Sequence, residues 1–279
     1  MNTHKKIAPE AATPETKGIE KSTDNSITDS GEKIKTPLKV LVACEESQRV
    51  CMAFRVLGHE AYSCDIQEPS GGHPEWHILG DVLRVLNPAP LPLSDGSGIC
   101  FVTMDNTFHK VDRWDLIIAH PPCTYLSNVA TRHHSLKCNS LDRINERTFK
   151  RIEGMQFFLN FANADCDRIA IENPVGVMNT SYRSPDQIIS PYMFAESTED
   201  TENYVTKATC LWLKGLPPLV GTGLPKPDNE KLYGRNPSGK ISNWEERQTG
   251  GKDRAKNRSK TFPGIAKAMA QQWGGDLSV

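Results

Sequence analysis

Residues 115–127 read Asp-Leu-Ile-Ile-Ala-His-Pro-Pro-Cys-Thr-Tyr-Leu-Ser, and this stretch decides the predicted fold. Its first part, 115–119, is a short apolar run typical of a buried strand, and the double proline that follows ends it. Pro121 and Pro122 fix two φ angles and remove two backbone donors, so they hold Cys123 rigidly at the end of the strand. A thiol presented in this way is a candidate nucleophile if nearby positive charge or a helix N-terminus lowers its pKa.

Similar apolar runs predict further strands on both sides of this stretch. They lie at 38–43, 60–65, 168–171 and 210–213, with a short element that ends at 80–82 and a small hairpin at 99–102. A helix is predicted through 52–57, ending at Gly58, and a second one over about 140–164. In the second helix, apolar residues at helical spacing indicate a buried face: Ile144, Phe149, Ile152, Met155, Phe158 and Leu159. Strands that alternate with helices favour an α/β fold with a mostly parallel sheet covered on both faces.

Composition favours one large globular domain over residues 37–275. The chain has 279 residues, of which 37% are hydrophobic, and a formal net charge of −1, so attraction to nucleic acid must come from local patches. Residues 1–36 are polar and nearly lack large apolar residues, which predicts a disordered tail. No apolar run is long enough to cross a bilayer, and no apolar stretch follows the first lysines as in a secretory signal. Eight cysteines without CxxC spacing indicate free thiols and a cytoplasmic location.

The carboxyl ends of parallel strands are where ligands and catalytic groups collect. This rule selects five places in the chain: residues 43–48, Asp65, Asp81, residues 120–123 and residues 172–174. The last of these is Glu-Asn-Pro, directly after an apolar run. Its carboxyl group could reach the same pocket as the thiol and act there as a proton donor.

The two motifs around Cys123 and Glu172 resemble motifs IV and VI of the DNA cytosine-C5 methyltransferases. The family patterns are Asp-x-x-x-Gly-Gly-Pro-Pro-Cys-Gln-x-x-Ser and Glu-Asn-Val; this chain departs from them at residues 119–120, at Thr124 and at Pro174. The resemblance covers roughly residues 38–275 and implies a Rossmann-like methyltransferase fold. It also implies that Cys123 attacks C6 of a flipped-out cytosine, that Glu172 protonates or hydrogen-bonds N3, and that Asn173 holds the loop.

The resemblance implies S-adenosyl-L-methionine as the cofactor. The residues expected to bind it lie at strand ends and in a similar last motif: Ala43, Cys44, Glu45, Asp65, Ile66, Asp81, Val82, His120, Pro121 and Gly264. By the resemblance, Asp65 binds the ribose hydroxyls and Asp81 binds the adenine. The first turn, residues 43–48, departs from the family pattern Phe-Ala-Gly-x-Gly-Gly because it contains no glycine, so a different loop geometry is expected. The dinucleotide fingerprint G-x-G-x-x-G is absent.

The carboxyl-terminal third is expected to contact double-stranded DNA. Lys207 lies on a stretch in the place of motif VIII, Gln-x-Arg-x-Arg, and is interpreted as contacting the base or a phosphate; an ordinary surface lysine is the alternative. Residues 215–260 stand where the family has its target-recognition region, and 226–260 hold ten Lys or Arg against five Asp or Glu. Such an excess suits phosphate contacts, and Tyr233 and Trp244 could stack on bases. A solvated basic face is the other interpretation.

Three other functions remain open at this point. An amino-methyltransferase acting on N4 of cytosine or N6 of adenine would carry an aromatic residue where Cys123 stands. The C5 chemistry could act on RNA or on a free pyrimidine nucleotide instead of DNA. A non-catalytic DNA-binding decoy with the same fold would explain the missing glycines and the missing arginine.

A zinc site is another possibility that the sequence raises. Cys123, His133, His134 and Cys138 are close in sequence, but their spacing matches no common zinc site and a metal would consume the nucleophile, so no metal is predicted. The short chain resembles the compact cytosine-methyltransferase-like proteins of bacteriophages and prophages. A monomer in the cytoplasm of a bacterial host, with or without a restriction partner and without a membrane, is therefore expected.

Overall fold

The computed structural model describes residues 36–87, 98–247 and 254–275. The chain divides into two units, Met1–Thr36 and Pro37–Val279, and every element below belongs to the second. The predicted disordered tail lies outside the described residues except for Thr36. Within the described ranges, no helix combines the length and the apolar character needed to cross a membrane.

Strands and helices alternate through most of the second unit. The strands are β1 (Lys39–Ala43), β2 (Glu60–Asp65), β3 (His77–Leu79), β4 (Ile99–Val102), β5 (Phe108–Val111), β6 (Leu116–Ala119), β7 (Ile169–Pro174), β8 (Gln187–Ile189) and β9 (Thr209–Lys214). The helices are α1 (Arg49–Val56), α2 (Leu83–Leu86), α3 (Asn128–Thr131), α4 (Leu141–Ala162), α5 (Met178–Ser181), α6 (Asn229–Tyr233), α7 (Trp244–Arg247), α8 (Arg254–Ser259) and α9 (Pro263–Met269). Short 3-10 turns lie at Pro74–Trp76, Arg132–His134 and Pro191–Phe194, and α9 continues as a π-helical turn over Ala270–Gly274.

Seven strands form one sheet in the order β3-β2-β1-β6-β7-β9-β8. The first five are parallel to their neighbours, and β9 runs antiparallel to both β7 and β8. The predicted α/β class with a mostly parallel sheet is confirmed, and the order of the first five strands is compatible with a Rossmann-like fold. The strand expected at 210–213 is present, but its antiparallel direction and the three-residue edge strand β8 were not predicted.

Apolar residues cover the sheet on both faces. Successive side chains of a strand point to opposite faces, so Leu41 belongs to one core and its neighbours Val40 and Val42 to the other. The first core includes Phe158 of α4, and the second lies beneath α1 and α9 and includes Phe54. Burial on both faces explains why these strands are continuous apolar runs.

The long helix was predicted correctly, but part of its expected buried face was wrong. Ser140 caps α4 by accepting a hydrogen bond from the Arg143 backbone N–H at 3.4 Å. Phe158 is completely buried, whereas Phe149 is 68% exposed and Ile152 is 46% exposed. Only the last turns of α4 pack on the sheet, while its first half faces the turn at Arg132–His134.

The predicted hairpin is also present. Strands β4 and β5 pair antiparallel, with Ile99 opposite Val111 and Val102 opposite Phe108. Residues 88–97, which precede it, lie outside the described part of the chain.

Candidate functional site

The two candidate catalytic segments meet at the carboxyl ends of β6 and β7, which are neighbouring parallel strands. Cys123 lies in the loop after β6. Glu172 and Asn173 were expected in a loop, but both belong to strand β7, and Asn173 pairs there with Cys210 of β9. The antiparallel partner prolongs β7 beyond its apolar run, and this pairing was not visible in the sequence.

Asn173 ties the proline–cysteine loop to β7. Its side-chain amide is buried and donates a hydrogen bond of 2.7 Å to the Pro121 carbonyl oxygen. Further along, the Val177 backbone N–H donates to the Leu126 carbonyl oxygen at 2.8 Å, and Ser127 forms a bridge with Gly176. The segment that follows Cys123 is thus joined to the segment that follows β7 over several residues.

Glu172 pairs with His120, which was expected to bind the cofactor. The Nδ1 atom of His120 lies 3.2 Å from Oε2 of Glu172, and the two side chains are 7% and 20% exposed. Burial opposes ionisation of Glu172, but the hydrogen bond and charge of His120, together with the charge of Lys207, outweigh it and lower the Glu172 pKa. His120 thus contacts the carboxylate in the folded chain, and its assignment to cofactor binding stays a prediction. The family pattern has glycine at this position, so the histidine in its place was the sequence signal that this position differs.

Cys123 is exposed at this site, but its charge environment differs from the one proposed for it. Surrounding protein atoms desolvate the sulfur and the Glu172 carboxylate repels a second negative charge, so the pKa of Cys123 is raised. The charges of Lys207 and Arg258 lower it by less. At neutral pH the thiol therefore keeps its proton, and attack on a substrate would require a base to remove it.

Lys207 lies near both groups, as its influence on their pKa values shows. Its Nζ donates a hydrogen bond of 2.9 Å to the Arg258 carbonyl oxygen and lies 5.8 Å and 5.7 Å from the ring centroids of Trp244 and Phe262. The expected target-recognition region thus packs directly against this lysine. The described part of that region contains α6, α7 and α8, and residues 248–253 lie outside it.

The turn after β1 adopts glycine-like backbone angles without glycine. Cys44 has φ 59° and Gln48 has φ 58°, both in the left-handed region. Glu45 is buried and points to the start of α1, where its carboxylate oxygens accept hydrogen bonds from the backbone N–H groups of Val50 at 2.6 Å and Cys51 at 3.2 Å. Desolvation raises the pKa of Glu45 to about 7, although His120 and these hydrogen bonds oppose the shift. Glu45 therefore caps α1, and its expected contact with the cofactor stays a prediction.

Asp65 and Asp81 lie at one edge of the sheet. Burial, and then the charges of Asp65 and Asp81, raise the pKa values of the Cys44 and Cys64 thiols, so both carboxylates lie near these thiols at the ends of β1 and β2. Oδ1 of Asp65 accepts from the Gln67 N–H at 2.9 Å, and Oδ1 of Asp81 accepts from a backbone N–H two residues on at 3.0 Å. In each, Oδ2 has no hydrogen bond from the described residues and remains available.

Three other expected cofactor residues have different surroundings. Ile66 is exposed, and Val82 is a core residue. A Cβ on Gly264 would clash with the Phe194 carbonyl oxygen, and its N–H donates to Asn203 Oδ1 at 2.8 Å. The side chain of Val82 and the close approach of Gly264 thus contribute to packing, and the cofactor contacts expected of them stay predictions.

No three His, Cys, Asp or Glu side chains of the described residues are grouped so that they could hold a metal ion. Comparison of the chain with protein-family models gives no match, and comparison with curated proteins gives none either. The fold and the site thus define an α/β protein with a Rossmann-compatible sheet. A thiol, a carboxylate and an imidazole meet at its strand ends.

Proposed function

We propose that this chain is an S-adenosylmethionine-dependent DNA methyltransferase that modifies C5 of cytosine, with Cys123 as the nucleophile. The observation that carries the proposal is the placement of Cys123 and the Glu172–His120 pair at the carboxyl ends of adjacent parallel strands, joined by the Asn173–Pro121 hydrogen bond. This is the pair of groups that addition of a thiol to a pyrimidine requires.

Because the pKa of Cys123 is raised and that of Glu172 is lowered, transfer of the thiol proton to the carboxylate is uphill in the free chain. The transfer must therefore be coupled to formation of the sulfur–carbon bond. In the proposed step the Glu172 carboxylate takes the thiol proton while sulfur bonds to C6 of the base. The C5–C6 π electrons move to C4–C5, the C4–N3 π electrons move onto N3, and N3 takes the proton from Glu172. C5 then carries the electron density needed to accept a methyl group. After methylation C5 loses its proton to water, the Cys123 thiolate leaves C6, and N3 returns its proton to Glu172 as the C4–N3 double bond forms again.

The acidic residues at the ends of β2 and β3 fit the proposed cofactor in part. Asp65 and Asp81 each offer one free carboxylate oxygen, which suits ribose hydroxyls and an amine. When bound, the cofactor supplies an electrophilic methyl group on a sulfonium. The carboxylate oxygens of Glu45 already accept two backbone hydrogen bonds at the start of α1.

The proposed partner is double-stranded DNA. Lys207 beside Trp244 and Phe262 combines a cation with aromatic rings at the edge of the site. This arrangement suits a phosphate or a base next to the flipped nucleotide.

Covalent trapping tests the proposal directly. Duplex DNA containing 5-fluorocytosine should form a denaturant-resistant adduct, because fluorine at C5 blocks the proton loss that releases the enzyme. The adduct should require the cofactor and should be lost in Cys123→Ser. Cys138→Ser, which changes another exposed cysteine, should still form it. An equal adduct yield with Cys123→Ser would refute the assignment of the nucleophile.

The non-catalytic decoy is the second candidate, and two observations favour it. His120 occupies a glycine position of the family pattern and pairs with Glu172, and the Cys123 pKa is raised. Binding of DNA by the wild-type chain without any adduct would select this candidate. Adduct formation on 5-fluorocytosine RNA alone would select the RNA alternative, and methylated amino groups found by mass spectrometry would select the amino-methyltransferase.

A further inference from the structure

A group of arginines lies immediately after the loop that carries Cys123. It comprises residues of the turn at Arg132–His134 and of the first half of α4, and we call it the arginine surface: Arg132, Arg143, Arg147 and Arg151. Arg132 and Arg143 are exposed, and the other two are half-buried. Arg143, Arg147 and Arg151 follow one another at intervals of four, so they share one face of the helix.

These four side chains have no acidic partner among the described residues. No carboxylate oxygen of the described chain lies within 4.0 Å of any of the four guanidinium groups. The helix does contain acids, but Glu153 pairs with Lys150 at 3.1 Å instead. The buried Nε of Arg147 also has no hydrogen-bond partner among the described residues.

The concentration of positive charge is visible in the neighbouring titratable groups. Burial, and then the charges of Arg132, Arg147 and Arg143, lower the pKa of His133. Burial and the charge of Arg147 also lower the pKa of Arg151 itself. Like charges held together without counter-charges reduce the stability of the folded chain, so an external anion would relieve the repulsion.

The arginine surface is connected to the nucleophile through Tyr125, two residues after Cys123. The guanidinium of Arg147 lies over the Tyr125 ring, 5.1 Å from its centroid, and Nε of Arg151 donates to the Tyr125 carbonyl oxygen at 3.0 Å. An anion bound by these arginines would therefore lie beside the loop that presents the thiol.

We propose that the arginine surface binds consecutive phosphates of a nucleic-acid strand and holds that strand over Cys123. Guanidinium groups bind phosphate oxygens in a bidentate manner, and a row of them along one helix face suits a polyanion better than a single anion. The link to the base at Cys123 rests on the proposed function, but the phosphate binding does not. The surface is separate in sequence from the basic segment at 226–260.

The test is the salt dependence of duplex binding, measured by fluorescence anisotropy with a labelled 20-base-pair DNA. Each phosphate contact contributes about 0.9 to the slope of log K against log salt. Arg143→Gln with Arg147→Gln should therefore reduce the slope by about 2. The control is Arg113→Gln with Lys214→Gln, which removes the same charge at the opposite edge of the sheet, near the starts of β6 and β7. Its slope should stay within experimental error of the wild type.

An unchanged slope in the arginine variant, or an equal fall in the control, would overturn the proposal. So would preferential binding of the wild type to anionic phosphatidylserine vesicles, because Phe149 and Leu136 are exposed near these arginines. Melting temperature serves as the folding check. The variant removes two like charges from the surface and should melt no lower than the wild type. If it does melt lower, Arg132→Gln in the exposed turn replaces it, and the expected change in its slope is about 1.

Adduct formation with 5-fluorocytosine DNA separates this proposal from the proposed function. A wild-type adduct together with an unchanged slope in the arginine variant would support the C5 chemistry and refute phosphate binding by the arginine surface. A reduced slope in the arginine variant without any wild-type adduct would support phosphate binding by the arginine surface and refute the C5 chemistry.

Discussion

Glu45 illustrates how the surroundings of one residue change its role. The sequence places it in the expected cofactor turn, but in the folded chain it is buried and bonded to two backbone N–H groups at the start of α1. A carboxylate there is favoured by the helix dipole and by those hydrogen bonds. Desolvation is larger, so the Glu45 pKa is raised to about 7.

This shift predicts a pH dependence of stability. Between the ordinary pKa of 4.5 and about 7 the folded chain binds a proton at Glu45 more readily than the unfolded chain does. Protonated Glu45 therefore contributes about 3 kcal/mol to the free energy of unfolding below about pH 4.5. This contribution is lost as the pH rises through 7. The free-energy difference between wild type and Glu45→Gln, measured by urea unfolding from pH 4.5 to 8, should decrease by about this amount. Glu68→Gln, at an exposed position, should give a curve parallel to the wild type; parallel curves for Glu45→Gln would contradict the assignment.

At the scale of elements, the contact between the segment after Cys123 and the segment after β7 organises the site. Gly176 lies where a Cβ would overlap the Leu126 carbonyl oxygen, and Gly154 of α4 would place a Cβ 3.4 Å from the side chain of the same leucine. The two glycines thus contact different parts of Leu126. The first approaches its backbone, and the second leaves room for a methyl group.

The pair predicts opposite effects of the same substitution. Gly176→Ala should destabilise the chain by about 1–3 kcal/mol and reduce adduct formation, because the two segments must separate. Gly154→Ala should stabilise it by roughly 0.5–1 kcal/mol, since alanine restricts the unfolded chain and suits a helix interior. Urea unfolding of both variants measures the two changes. A neutral Gly176→Ala would show that the close approach does not exist in solution.

Most of these elements were predictable from the chain. The strands at 38–43 and 60–65, the helix ending before Gly58 and the hairpin at 99–102 depend on local apolar runs and turn residues. Strand β8 was missed because three residues, with Ile188 53% exposed, carry no periodic signal. The expected face of α4 was wrong because helical spacing shows which residues share a face, but not how far the helix extends beyond the sheet.

At the scale of the whole molecule, the sheet separates two cores, and stability depends on which residues reach them. Phe158 belongs to the first core and packs edge-on against Trp212, with ring centroids 5.1 Å apart. Phe149, nine residues earlier on the same helix, is 68% exposed.

These two phenylalanines form a matched pair for mutation. Phe158→Ala should cost about 3–5 kcal/mol of unfolding free energy, because it leaves a cavity against the sheet. Phe149→Ala should change stability by less than about 0.5 kcal/mol. Chemical denaturation of both variants is the measurement. Similar losses would mean that the first half of α4 packs against another surface.

The sequence by itself determined the α/β class, the places of most strands and the prediction that Cys123 and Glu172 lie at neighbouring strand ends. These follow from local apolar patterns, from proline and from the rule that parallel strands end at one edge. Only the tertiary structure decided the direction of β9, the pairing of Glu172 with His120, and the capping role of Glu45. It also brought together the arginines beside Tyr125. Strand direction and side-chain partners depend on contacts between distant parts of the chain, and pKa values depend on burial, so neither is encoded in a local pattern.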